Sequence, residues 1–438
     1  MPESRPSRIP AWVFFAGLIA LSFAFYWRIL DNPFWDPEDF NFLHTAILNA
    51  GNPSRLFAAN AAERFHPVPL LFFQLEYRFF GLNPVGYYAV NLLVHAINAI
   101  LVDLLVMVLL GDRRIARLAS VFFVLGVGSY GKAIMFVAGI ENLIITTLYL
   151  LILNLYIRND LNEKGRVLSP RYALVLLLFL LASYARPTAF SLVLGLLAYK
   201  AFFRTARGPD RKLLEPNLVI LVAGAVLFWI LRELSGATDF SHELAGARPW
   251  TFTVRFLGNM VNYIIHMFFP LHVSHLVTMG NPVVRGLYDA APVIRWFIGL
   301  SILSYGFFGF VFGNRALRFF ITWTFISILP FSALSFPDDW LNIRYLYQVS
   351  IGFNFILASG TIYTMDLLHR RRWRRFIPYA APMLFVLLSF YIMTKLDQKY
   401  ERERRDPRVR AMLKEVREQR EIQAIKAPAT APSTTSGH

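Results

Sequence analysis

The chain has 438 residues, is 56% hydrophobic and 16% aromatic, and carries 44 Lys and Arg against 28 Asp and Glu, a formal net charge of +16. It contains no cysteine, which excludes disulfides, thiolate catalysis and Cys-ligated zinc. Soluble domains average about 45–50% apolar residues; the excess here falls in runs of about 15–25 residues, the length that crosses a hydrocarbon core. The basic residues lie mostly in short loops between those runs, so the charge reads as membrane topology and not as a nucleic-acid surface.

The first apolar run, 11–30, is too long for the core of a signal peptide and no small-x-small cleavage site follows it, so it is a retained first span. Further runs at 84–110, 115–131, 134–157, 171–185, 187–203, 214–233, 292–313, 317–335, 345–366 and 376–394 predict an all-α polytopic membrane protein, a bundle of about eleven transmembrane helices. Runs 171–185 and 187–203 are short for a crossing, which predicts tilt or burial within the protein.

Two more stretches, 67–80 and 255–272, are apolar but ambiguous. With the N-terminus in the cytoplasm, eleven spans put Arg113, Arg114 and Arg117, then Arg204, Arg207, Arg211 and Lys212, then "HRRRWRR" at 369–375 on the cytoplasmic side. Counting either stretch alone as a span would reverse "HRRRWRR". Both are therefore read as interfacial or re-entrant helices on the extracytoplasmic face, although counting both restores the same parity.

Residues 1–394 then form the membrane domain, with 31–83 as its first extracytoplasmic loop. The tail, 395–438, is predicted on the same side. Within it Val409, Met412, Leu413 and Val416 fall at helical spacing on a charged segment, and "APATAPSTTSGH" has the composition of a disordered end.

The loop 31–83 is longer than a turn needs and opens on "FWDPEDF", which holds Asp36, Glu38 and Asp39; Glu63, Arg64 and His66 follow. Pro37 suits a first helical position. That predicts a structural role in which Asp36 caps the helix while Glu38 and Asp39 complement its positive end. A catalytic role stands beside it.

Glu141 and Asn142 lie near the outer end of an apolar helix, Arg186 lies between two apolar runs, and Arg344 with Tyr345 opens another. Ionisable groups at membrane depth are costly and are usually paired or functional. The histidines His44, His66, His95, His266, His272 and His275 show no metal-ligand spacing. "GVGSYGKA" at 126–133 lacks the spacing of a phosphate-binding loop, so a cytosolic nucleotide donor is not expected. Carboxylates that can serve as a base, beside a forked guanidinium, suit group transfer from a lipid phosphate held at the membrane.

"FWDPEDF" resembles the first-loop acidic motif of the GT-C superfamily of polyprenyl-phosphate-dependent glycosyltransferases. "FHPVPL" at 65–70, "GLNPVGYYAVNLLVHAINAILV" at 81–102, "SYARPTA" at 183–189 and "NIRYLYQVSIGF" at 342–353 follow in the same order as in the membrane part of tetratricopeptide-repeat protein O-mannosyltransferases and their bacterial relatives. Pro37 replaces the second acid of the family's "WDD". His66 replaces an Arg, Glu141 and Asn142 replace an Asp-containing pair, and Asn342-Ile343 replaces the acid before Arg344. The repeats themselves are absent.

The resemblance implies a GT-C bundle with juxtamembrane helices outside, in a bacterial inner membrane. It implies a polyprenyl-phosphate sugar donor and a protein or glycan acceptor, with membrane lipids and no nucleic acid as partners. Asp36 is its first choice as base or metal ligand, with Asp39 and Glu38 next. Arg344 with Tyr345 holds the donor phosphate, and His66, Glu141, Asn142 and Arg186 line the site. Some members use Mg or Mn, here at Asp36 and Asp39, and others use no metal. A transporter or lipid-linked sugar flippase is the alternative, against which stand the lack of an internal repeat and the gathering of charges at one interface.

Overall fold

A computed structural model describes residues 10–49, 67–126, 131–162, 169–204, 216–234, 249–268, 291–332, 343–368 and 377–426. His66 and the predicted disordered end lie outside the described residues.

The helices are α1 (Ala11–Tyr26), α2 (Pro37–Leu48), α3 (Pro67–Phe80), α4 (Pro84–Leu110), α5 (Arg113–Leu125), α6 (Ile140–Asn162), α7 (Pro170–Ala185), α8 (Ser191–Tyr199), α9 (Pro216–Leu234), α10 (Pro249–Phe268), α11 (Ala291–Phe312), α12 (Arg315–Ser332), α13 (Leu346–Leu368), α14 (Ile377–Arg404) and α15 (Pro407–Lys426). No strand occurs among the described residues. Four segments are long and apolar enough to cross a bilayer by length and composition: Ala11–Asp31, Pro84–Leu110, Val137–Leu161 and Ile343–Leu368. The chain is an all-α integral membrane protein, and each apolar run of the sequence holds one of these helices.

Two runs depart from a simple helix. The run 134–157 is broken: a helical turn at Lys132–Met135 and a 3-10 turn at Val137–Gly139 precede α6. The run 376–394 continues as helix to Arg404, so the compositional boundary at 395 falls inside α14. Its inner face explains the continuation, because Leu396 and Tyr400 pack on the core beyond that boundary.

α4 lies at the centre, against α1, α5 and α6. In hydrocarbon polar groups need internal partners, and His95 and Asn98 of "NLLVHAIN" find theirs on neighbouring helices. Asn98 Nδ2 donates to Leu143 O (3.0 Å) and to Tyr347 Oη (3.1 Å), and Asn98 Oδ1 accepts from Thr147 Oγ1 (2.7 Å). His95 Nδ1 lies 2.8 Å from the same Tyr347 hydroxyl. The motif thus ties α4 to α6 and α13. α12 and α13 touch backbone to backbone at Gly352, where a Cβ would meet Thr324 Oγ1 at 2.3 Å and Phe320 O at 2.6 Å.

Candidate active site

Pro37 fixes the first turn of α2, and Asp36 precedes it in an extended conformation as N-cap. Asp36 Oδ1 accepts from Glu38 N (3.0 Å). Asp39 answers: its Oδ2 accepts from Trp35 N and Asp36 N, each at 3.2 Å, which completes a capping box. Its other oxygen, Oδ1, accepts from Ala138 N (2.7 Å) in the 3-10 turn before α6. Asp39 is fully buried with both oxygens engaged by backbone donors. Burial, with Asp36 beside it, pushes its carboxyl up to about 8 against the pull of those donors. Its geometry is that of an anchor joining α2 to the turn that leads into α6.

Asp36 keeps one oxygen for the site, and Lys132 Nζ lies 3.1 Å from it. Lys132 comes from "GVGSYGKA", a stretch excluded as a nucleotide loop and given no other role in the sequence. Glu38 is the carboxylate of the three that reaches solvent, with 21% of its side chain exposed. Both of its oxygens pair with Arg344: Nη2 donates to Oε1 at 2.8 Å and Nη1 to Oε2. This contact joins residues 306 apart in sequence.

Arg344 and Tyr345 sit in the 3-10 turn Ile343–Tyr345, buried at the head of α13. The Tyr345 ring stacks on Phe331 at 4.4 Å with an interplanar angle of 5°. Arg344 Cζ lies 5.2 Å and Arg186 Cζ 4.7 Å from the Tyr345 ring centre, so two guanidiniums share one ring. Arg186, at the end of α7, donates from Nη1 to Asn142 Oδ1 (2.8 Å), and its Nε lies 3.4 Å from Glu141 Oε1. Asp36, Glu38, Asp39, Glu141, Asn142, Arg186, Arg344 and Tyr345 are therefore brought together at one end of the bundle.

Other residues hold this assembly, and the sequence did not point to them. Trp35 Nε1 donates to Met135 O (3.0 Å), and Asn91 Nδ2 donates to Phe136 O (3.2 Å) and Val137 O (3.3 Å). Tyr88 donates from its hydroxyl to Pro33 O (3.1 Å). α4 thus positions both the acidic turn and the broken start of α6. The tail joins from the other side: α15 packs along α2, and Arg404 donates to Asn32 Oδ1.

Asp36 and Asp39 do not fit a divalent metal in this arrangement. Asp39 has both oxygens on N–H donors, and Asp36 is divided between Glu38 N and Lys132. Among the described residues no three His, Cys, Asp or Glu side chains are arranged so that they could hold a metal ion.

No protein-family profile matches the chain, and no curated protein sequence is detectably similar. Solved structures do match. The oligosaccharyltransferase of Archaeoglobus fulgidus in its apo form aligns over 89% of this chain and 56% of its own, at 13% identity and a TM-score of 0.50. The chain shares that fold. The same archaeal enzyme tethered to an acceptor peptide aligns at 14% identity over 87% of this chain and 54% of its own, with a TM-score of 0.49. The chain spans about half the length of the structures it matches.

Proposed function

We propose that this protein is a membrane glycosyltransferase that moves a sugar from a polyprenyl-phosphate donor to an acceptor hydroxyl on a protein or glycan. The observation that carries the reading is the pairing of the acidic turn of α2 with Arg344, 306 residues away, in a chain that shares its fold with an oligosaccharyltransferase. The ordered GT-C motifs support the same reading.

In this scheme Asp36, oriented by Lys132, takes the proton of the acceptor hydroxyl as its oxygen bonds to the sugar's anomeric carbon. The anomeric carbon–phosphate oxygen bond breaks, and the phosphate leaves with the electron pair toward Arg344. Tyr345, Arg186, Glu141 and Asn142 support Arg344 on the side of α6 and α7. Asp39 holds the turn and takes no part in proton transfer.

The site faces the outside of a bacterial inner membrane in this proposal. In support, Arg114, one of the basic residues assigned to the cytoplasmic side, pairs with Asp366 at 2.8 Å at the other end of the bundle. The helical part of the tail, up to Lys426, shares the side of the site in this proposal, and the packing of α15 on α2 supports it.

The test is transfer by the purified protein from defined polyprenyl-phosphate sugars, comparing the wild type with Asp36→Asn, Asp39→Asn and Arg344→Ala. Transfer is expected to collapse in Asp36→Asn and Arg344→Ala. Undiminished activity in all three overturns the site, and lipid-linked sugar crossing liposomes without any transfer favours a flippase instead.

A further inference from the structure

We propose that Glu38 occupies the seat of the donor phosphate on Arg344, and that the donor binds by displacing it. The inference rests on the glycosyltransferase reading above.

The first observation is an unmatched donor. A guanidinium offers five N–H groups in a planar fork that fits carboxylate and phosphate alike. Arg344 spends both terminal nitrogens on the two oxygens of Glu38, and Nη2 also lies 3.4 Å from the Tyr345 hydroxyl. Its Nε is buried and has no acceptor, in a residue only 5% exposed. A buried N–H without a partner is costly. Glu38 sits end-on across Nη1 and Nη2, which leaves Nε unused; an anion seated side-on across Nε and Nη2 would satisfy it, so the fork has an anion-binding edge that Glu38 does not fill.

The second observation is the unequal anchoring of the pair. Arg344 is wedged between rings, with Cζ 5.2 Å from Tyr345 and 5.8 Å from Phe136. Glu38 rises from the first turn of α2 with its backbone N–H fixed to Asp36 and 21% of its side chain exposed. Glu38 is therefore the partner on the solvent side, where an incoming anion arrives, and Arg344 is the buried one.

The third is the surrounding charge. Lys132 lies 5.5 Å from the same Phe136 ring as Arg344, and Arg186 shares the Tyr345 ring. An anion replacing Glu38 meets Arg344, with Lys132 and Arg186, themselves paired to Asp36 and Glu141, beside the same rings. After transfer, Glu38 returns to Arg344 and competes the polyprenyl phosphate off, so it also speeds product release. The exchange forms and breaks no covalent bond.

The experiment measures the affinity of the purified full-length protein in nanodiscs for undecaprenyl phosphate. Glu38→Gln removes the competing charge and is expected to tighten binding about tenfold, as when the competent state of a site is normally populated one time in ten. Glu38→Asp keeps the charge but is one methylene too short to hold Arg344 in the same way, and it is expected to tighten binding as well. That variant separates loss of a seat-holder from a general loss of negative charge. Arg344→Ala is expected to abolish binding in either background.

Unchanged or weaker binding in both Glu38 variants, with the wild type binding normally, overturns the inference and leaves the glycosyltransferase reading intact. Failure of the wild type to bind undecaprenyl phosphate, with Arg344→Ala indistinguishable from it, overturns that reading and the inference together.

Discussion

The Tyr400 ring packs at a tilt against Trp35, with ring centres 4.7 Å apart and planes at 33°. Trp35 is the residue before the Asp36 cap, and its backbone N–H binds Asp39. The contact therefore couples the C-terminal helices to the acidic turn. Val409, Met412, Leu413 and Val416, the helical stripe of the tail, pack on the core beside it. Removing the ring in Tyr400→Ala is expected to loosen the turn and lower kcat by about 10- to 100-fold, the scale of an ångström-level misplacement. Tyr400→Phe keeps the ring and is expected to stay near wild-type turnover. Transfer rates under saturating donor check this.

Asp36 and Asp39 are expected to fail differently. Asp36→Asn is expected to lower kcat by about 10²–10⁴-fold, the usual contribution of a general base, with little change in thermal midpoint. Asp39→Asn places an amide NH2 against a site whose neighbours are all N–H donors. It is expected to destabilise the fold by about 1–3 kcal/mol, as unmatched buried polar groups do. Measuring turnover and thermal unfolding on both variants separates base from anchor.

Gly139 ends the 3-10 turn that presents Ala138 N–H to Asp39. A Cβ there would meet Ala133 O at 2.1 Å, a backbone atom that cannot swing aside. Gly139→Ala is expected to shift the turn, weaken its bond to Asp39 and reduce transfer. Gly258→Ala is the control, since a Cβ at that position has open space.

Glu76 on α3 is 4% exposed, and neither of its carboxyl oxygens has a hydrogen-bond partner. Burial alone pushes its carboxyl from 4.5 up to about 9. The folded chain then holds a proton that the unfolded chain has released above pH 4.5. The stabilisation is full below that pH and is lost as pH rises through about 9, with a slope of up to about 1.4 kcal/mol per pH unit. Thermal midpoints in detergent are expected to fall between pH 5 and 9 for the wild type, and Glu76→Gln is expected to flatten that fall.

The polar network of α4 is expected to matter for stability and only indirectly for chemistry. Asn98→Ala removes its bonds to Leu143 O, Thr147 and Tyr347, while Thr147 Oγ1 still donates to Leu143 O at 2.9 Å. Hydrogen bonds between membrane helices contribute about 0.6 kcal/mol on average and up to about 2 kcal/mol. A loss of that order in unfolding free energy, with unchanged donor KM, is the expected result.

Hydropathy and charge placement determined the helices by themselves. A predominantly apolar run of membrane-spanning length leaves the backbone no low-energy state in a bilayer other than a helix, so α1, α4 and α13 follow from composition. The cap at Asp36 was equally local, because Pro37 and the carboxylates around it set the first turn of α2 without help from the rest of the chain. The type of each candidate side chain, and its place near a membrane exit, also followed from the linear chain.

Only the tertiary structure decided how the carboxylates divide their work. Asp39 became an anchor because Ala138 N–H arrives from another helix; Asp36 faces Lys132, and Glu38 faces Arg344, across 306 residues. In "NLLVHAIN", part of one of the resemblance motifs, Asn98 and His95 spend their polar atoms on neighbouring helices. Hydrogen bonds and ion pairs act over about 3 Å of space and are indifferent to distance along the chain. Which donor reaches which oxygen is therefore settled when the helices pack, and a sequence states only which groups are available.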